Sequence, residues 1–287
     1  MSFYYIDTNR RNLPTTKLLR AACKDRKVEF IEIDSADLNC LELEKGLGFK
    51  KGDFLYRASQ DRFAKIVERR LLGRGAITFY RSREKGFFDY SSVEESNAIY
   101  QREDIPTPKM IPALTKNRGY LKKYVNYLGG FPVVIKIIGG SHGIGVMKID
   151  SFSSLFSIVD YIIGQDNKAI MLEFVKTTTS ARLIVLGGRV VDSIEYFAPK
   201  DEFRSNEGKI PNVRKKKFSK EIQKIAVKGV ELRGVEFAGV DILFDKKGKP
   251  YVVEVNFPCF FGRSQLLTGV DIAGMMVDYL IFKSNKS

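Results

Sequence analysis

The hydrophobic pattern changes period along the chain. Residues 3–6 are apolar and aromatic, Leu18, Leu19, Ala22 and Cys23 recur at helical spacing within 14–27, and 28–33 alternate. This reads as strand, helix, strand. A strand over 54–57, a helix over 63–72 and a strand over 76–80 continue the order. Strands alternating with helices predict a small parallel α/β layer ending near residue 90.

The pattern then becomes mixed. Ser91-Ser92-Val93-Glu94-Glu95 places a capping serine and two acids at a helix start, and Pro106 sets its end. A helix over 120–128 leads through Gly129-Gly130 into a strand at 131–138, a glycine-rich turn and a strand at 145–149. A helix at 151–163, strands at 170–175, 182–186 and 189–196, and a helix at 219–233 follow. A hairpin over 239–255 and a helix over 270–282 close the chain. This part is expected to be α+β, with units over 1–90, 91–169 and 170–287.

Composition narrows the class of protein. The 287 residues are 44% hydrophobic and 29% charged, a globular mixture. No apolar run approaches the ~20 residues of a membrane helix, and Met1-Ser2-Phe3-Tyr4-Tyr5 opens no secretory signal, so a cytoplasmic location without a membrane is expected. Cys23, Cys40 and Cys259 show no C-x-x-C spacing, and His142 stands alone, which argues against disulfide or zinc chemistry. The net charge of +14 favours anionic partners. Arg69-Arg70 to Arg74 and Arg214-Lys215-Lys216-Lys217 carry part of it, either as solvated surface or as a binding footprint. Nucleic acid is the rival partner, unaccompanied by any zinc finger, RNA-binding aromatic motif or basic zipper.

Two constellations carry chemistry. In Val134-Ile135-Lys136-Ile137-Ile138-Gly139-Gly140-Ser141-His142-Gly143-Ile144-Gly145, a lysine interrupts an apolar strand before four glycines. A buried ammonium needs a partner, and a nucleotide phosphate is one; the glycines let backbone amides approach the same anion. The segment is not the helix-based phosphate loop G-x-x-x-x-G-K-[ST]. A flexible hairpin with a solvated Lys136 is the alternative. His142 reads as a polar loop residue on phosphate or water rather than an acid–base catalyst.

In the second, Gly239-Val240-Asp241-Ile242-Leu243-Phe244-Asp245 and Tyr251-Val252-Val253-Glu254-Val255-Asn256 flank the turn residues Lys246-Lys247-Gly248-Lys249-Pro250. Pairing Asp245 with Pro250 sets Leu243 against Val252 and Asp241 against Glu254, with Asn256 on the face of Glu254. Opposed carboxylates repel unless a cation joins them, and an Asp/Glu/Asn oxygen set suits Mg2+, with Mn2+ as the substitute. Two solvent-facing acids on an amphipathic hairpin would give the same pattern.

These residues, with Leu172-Glu173-Phe174-Val175-Lys176, Phe203-Arg204-Ser205-Asn206 and Thr268-Gly269-Val270-Asp271-Ile272-Ala273-Gly274, occur in an order that resembles RimK-like ATP-grasp ligases over the last two thirds of the chain. The resemblance implies a small N-terminal α/β domain followed by two lobes that clamp ATP. It assigns ATP to Lys136, Gly140, Ser141, His142 and Gly143, and the adenine hinge to Glu173, Phe174 and Val175. Arg204 and Asn206 would flank the reacting phosphate, and Asp241, Glu254 and Asn256 would hold magnesium. The implied activity is ATP-dependent carboxylate–amine ligation through an acyl phosphate, releasing ADP and phosphate.

This chain departs from the pattern in three places. The usual lysine at the start of the middle lobe is absent from Val93-Glu94-Glu95-Ser96-Asn97, which removes one phosphate contact. Thr177-Thr178-Thr179-Ser180-Ala181-Arg182 lacks the acid before the arginine. Phe257-Pro258-Cys259-Phe260-Phe261-Gly262-Arg263 replaces a Ser-Pro-Gly turn. The N-terminal domain and the 257–265 turn are expected to frame amino-acid and acidic small-molecule, peptide or protein-tail substrates. Arg57, Arg81 and Arg263 are the candidate carboxylate grips. Alternatives are an ATP-binding regulator without turnover and a basic nucleic-acid-binding protein; a homo-oligomer is left open.

Overall fold

The computed structural model describes residues 1–9, 13–82, 93–139, 143–197, 203 and 212–286. Three sheets organise them. In the first, β1 (Ser2–Asp7) lies between β2 (Glu29–Asp34) and β3 (Phe54–Arg57), all parallel. The connections run through α1 (Leu13–Asp25), and through α2 (Cys40–Lys45) into β3, which is followed by α3 (Arg62–Gly73). Phe3, Tyr4, Tyr5 and Ile6 are all buried, as expected of a parallel strand covered on both faces. Asp61 caps α3 by accepting from the amides of Phe63 and Ala64. The strand expected at 76–80 makes only isolated bridges, Ile77 to Phe54 and Tyr80 to Val235.

The second sheet joins β4 (Met110–Ile111), β7 (Ala169–Glu173), β5 (Val133–Ile137) and β6 (Val146–Ile149) in that order. It follows α4 (Val93–Arg102), and α5 (Arg118–Tyr127) and α6 (Phe152–Gly164) cover it. Asn117 caps α5 and Ser151 caps α6, each accepting a backbone amide three residues on. Leu121, Val125, Val133, Ile135, Leu155, Val159 and Met171 close a separate core.

The third sheet is antiparallel, in the order β10 (Asn212–Lys215), β9 (Arg189–Phe197), β8 (Thr177–Leu186), β11 (Phe237–Asp245), β12 (Pro250–Asn256). Helix α7 (Lys220–Leu232) packs on it, and α8 (Gly262–Thr268) and α9 (Ile272–Ser284) complete the chain. Its core is continuous with that of the first sheet: Tyr56, Phe79, Phe237, Phe257 and Phe261 meet edge-to-face or tilted across the junction. No single helix among the described residues is long and apolar enough to cross a membrane.

Candidate active site

The hairpin of β11 and β12 builds the centre of the site. Near the turn, Phe244 pairs with Pro250 and Ile242 with Val252, one residue out of the expected register. A register shift between Asp241 and Ile242 then sets Asp241 opposite Glu254 and Gly239 opposite Asn256. The irregularity thus restores the expected carboxylate pair after the turn had displaced it.

Asp241 has another neighbour on its other side, Arg182 of β8. The guanidinium grips it through two bonds, Nε to Oδ1 at 2.8 Å and Nη2 to Oδ2 at 2.7 Å. Asn256 Nδ2 also donates to Asp241 Oδ2, at 3.0 Å. The Asp241 carboxylate holds the Arg182 guanidinium above its ordinary pKa, against the opposing effect of burial. Nothing local in the sequence shows that the partner of Arg182 lies 59 residues ahead.

Lys136 enters from the second sheet. It sits on β5 opposite Val146 and Ile170, and its Nζ lies 3.6 Å from Glu254 Oε2. The site is therefore a junction between two sheets, with Lys136 and Glu254 spanning it. Glu173 ends β7, and Phe174 and Val175 begin the link to β8, where the chain passes from one sheet to the other. Glu173 accepts the Lys109 amide at 3.1 Å, and its own amide bonds to Lys109 O at 2.9 Å. Phe174 is half-buried, with the Phe203 ring 6.4 Å away edge-on and Lys148 Nζ 5.6 Å from its centre. Val175 is buried.

Gly143 adopts φ +75° in the turn before β6, and its carbonyl accepts the Val146 amide. Gly140, Ser141, His142, Arg204 and Asn206 lie outside the described residues.

The three candidate carboxylate grips separate. Arg57 is no surface arginine: it is 1% exposed, its Nε is 2.7 Å from Glu68 Oε2, and it cannot reach a substrate. That expectation is corrected, because the side chain turns inward from the end of β3 to neutralise a buried acid. Arg81 pairs with Glu231 at 2.6 Å, and its amide donates to Gly234 O ahead of β11. Arg263 is exposed on the first turn of α8 and lies within electrostatic range of Tyr196, as does Arg182.

The basic run at 214–217 is partly structural. Arg214 and Lys216 both pair with the buried Glu195, while Lys215 Nζ donates to Thr268 O. Those contacts tie the run to β9 and to the end of α8.

The donor set suits a hard cation. Among the described residues no cluster of three or more His, Cys, Asp or Glu side chains forms, so two carboxylates and one amide are what the hairpin offers. Mg2+ is commonly held by one or two carboxylates together with substrate phosphates. Asp241 and Glu254 are each partly accessible, at 26% and 38% of side-chain area.

Solved structures share this architecture. The ATP-grasp ligase PsnB complexed with minimal precursor, Mg and ADP matches with a TM-score of 0.74 at 15% identity, covering 98% of this chain and 97% of that one. The fold is therefore ATP-grasp. The RimK-like ATP-grasp domain matches residues 93–280, and the chain belongs to that family. A probable alpha-L-glutamate ligase of Methanococcoides burtonii is 34% identical over 168 residues, 58% of this chain and 55% of that protein. One of Vibrio cholerae is 27% identical over 287 residues, 94% of this chain and 92% of that protein. The first of these alignments spans little more than half of the relative's length.

Proposed function

We propose that the protein is an ATP-dependent carboxylate–amine ligase that joins an amino acid, with L-glutamate the first to test, to a small molecule or peptide bearing a carboxylate. The observation that carries this reading is the convergence of Asp241, Glu254, Asn256, Arg182 and Lys136 at the junction of two sheets. Family membership and relatives named glutamate ligases support it.

In this reading the substrate carboxylate takes the γ-phosphoryl group of ATP and ADP leaves. The amine then attacks the acyl carbon and inorganic phosphate departs. Asp241, Glu254 and Asn256 would hold Mg2+, which supplies charge neutralisation for the transferring phosphoryl group. Lys136 trades Glu254 for nucleotide phosphate. Arg182 orients the Asp241 carboxylate through its two hydrogen bonds. Glu173, Phe174 and Val175 offer backbone and apolar surface for adenine on the link between the lobes. Arg204 and Asn206, outside the described residues, are the candidates that the family resemblance assigns to the reacting phosphate. Arg263 is the remaining candidate to grip a substrate carboxylate.

The test is an ADP-release screen of amino acids against carboxylate acceptors, followed by mass spectrometry of the product. ADP formation that requires both an amine and an acid, with an amide product, supports the ligase. Nucleotide binding without ADP formation across the screen would favour a regulatory ATP-binding protein instead.

A further inference from the structure

We infer that Tyr56 of β3 and Gln60, between β3 and α3, are positioning residues for the amino-acid substrate, acting through the backbone of the turn that follows Asn256; this rests on the ligase reading above. The Tyr56 hydroxyl clasps one residue twice. It donates to Cys259 O at 3.1 Å and accepts from the Cys259 amide at 3.0 Å, across 203 residues of sequence. Gln60 Nε2 donates to Phe257 O at 2.9 Å. The two side chains thus fix the peptide groups on either side of Pro258, immediately beyond Asn256.

The clasp is itself braced. The buried Arg57 pairs with Glu68 and bonds to Ser59 O, and its Nη1 lies 3.4 Å from Gln60 Oε1. Tyr80 donates its hydroxyl to Glu68 Oε2 and sets its ring 5.1 Å from that of Phe257. Tyr56 is 1% exposed, whereas Gln60 is exposed at the surface. Where β3 ends, the carboxyl edge of the parallel sheet meets the turn, and such edges are where α/β sheets bind small ligands. Thr8, Ser35 and Ser59 line that edge, with Thr8 Oγ1 2.7 Å and 2.6 Å from the two serine hydroxyls. From the clasped segment the chain passes through the exposed Phe260 into α8, whose first turn carries the exposed Arg263.

A turn fixed from below presents Phe260 and Arg263 at one place relative to Asn256. Releasing it should loosen capture of the substrate over this turn, while nucleotide bound between the other two sheets is unaffected. Gln60→Glu is the cleaner variant, because it is isosteric, lies at the surface and replaces the donor with an oxygen facing the Phe257 carbonyl. Tyr56→Phe keeps the ring and removes both bonds.

The experiment measures three quantities on the full chain. These are the KM and kcat for L-glutamate with a glutamyl peptide as acceptor, the Kd for Mg·ADP, and amide hydrogen exchange over 257–261. For Gln60→Glu we expect KM to rise about tenfold, with kcat, Mg·ADP affinity and Tm little changed. For Tyr56→Phe, exchange at the Cys259 amide should quicken as well. An unchanged KM, or a rise matched by equal weakening of Mg·ADP, would overturn the inference. A wild-type protein that releases no ADP sinks the ligase reading, whereas exchange that Tyr56→Phe leaves unchanged sinks the clasp whatever the turnover.

Discussion

Arg182 and Asp241 face each other on neighbouring strands and join through two parallel hydrogen bonds, at 2.8 and 2.7 Å. The pair is mostly sequestered, with 23% and 26% of side-chain area exposed. Removing one partner leaves a charge without compensation. Arg182→Ala should therefore cost on the order of 3 kcal/mol in urea unfolding. Arg182→Lys should keep part of that stability yet fail to restore ADP formation, because an ammonium cannot match the carboxylate's two oxygens. Full activity in the lysine variant would remove Arg182 from the site.

Lys136 is predicted to act on nucleotide rather than on folding. Its 3.6 Å approach to Glu254 is longer than a hydrogen bond, so little stability is at stake. Lys136→Met should raise the KM for ATP about tenfold or more and lower turnover, with an unfolding midpoint close to that of the wild type. Steady-state kinetics alongside urea titration checks both halves.

How much of this was legible beforehand depended on range. Alternation over 239–256 was enough to set Asp241 against Glu254, yet the register shift beside Ile242 left no mark in the sequence. The Arg182 grip, the Lys136 approach and the Tyr56 clasp join residues 59, 118 and 203 positions apart, beyond any local pattern. Arg57 misled for a related reason: an arginine after a strand reads alike whether it meets solvent or a buried acid such as Glu68. The expected strand at 76–80 is β-prone and bonds to β3 only around Ile77, which leaves it as single bridges. The small helices α2 and α8 are too short for periodicity to declare them.

Gly239 gives a steric test of the site wall. A Cβ there would lie 2.9 Å from Cys259 Sγ and 3.6 Å from Arg182 Cδ, while Cys259 is held in place by Tyr56. Gly239→Ala should cost about 1–3 kcal/mol by overpacking against the Cys259 sulfur. Cys259→Ala removes the obstructing sulfur. The double variant should recover part of the loss in a double-mutant cycle, whereas strict additivity would show that the two positions do not meet.

Alkaline stability follows from buried acids that stay protonated. Burial pushes the Cys23 and Cys259 thiols up to about 12 from 9.0, and the Tyr100 and Tyr279 hydroxyls to about 12 from 10.0. Above the ordinary values the unfolded chain releases protons that the folded chain keeps, so stability falls as pH rises. The contribution is present in full below about pH 9 and is lost progressively toward pH 12. Urea midpoints measured from pH 8 upward should decline across this window; a flat profile would contradict the burial of these groups.

The most direct test of the ligase reading follows oxygen atoms. An acid substrate identified by ADP release, labelled with 18O in its reacting carboxyl group, is turned over with ATP, Mg2+ and the amine, and the inorganic phosphate is analysed by mass spectrometry. An acyl-phosphate route transfers one carboxyl oxygen to each phosphate released, and Asp241→Asn and Glu254→Gln should suppress the labelled phosphate together with the amide product. Phosphate that forms without label while the amide accumulates would contradict the account.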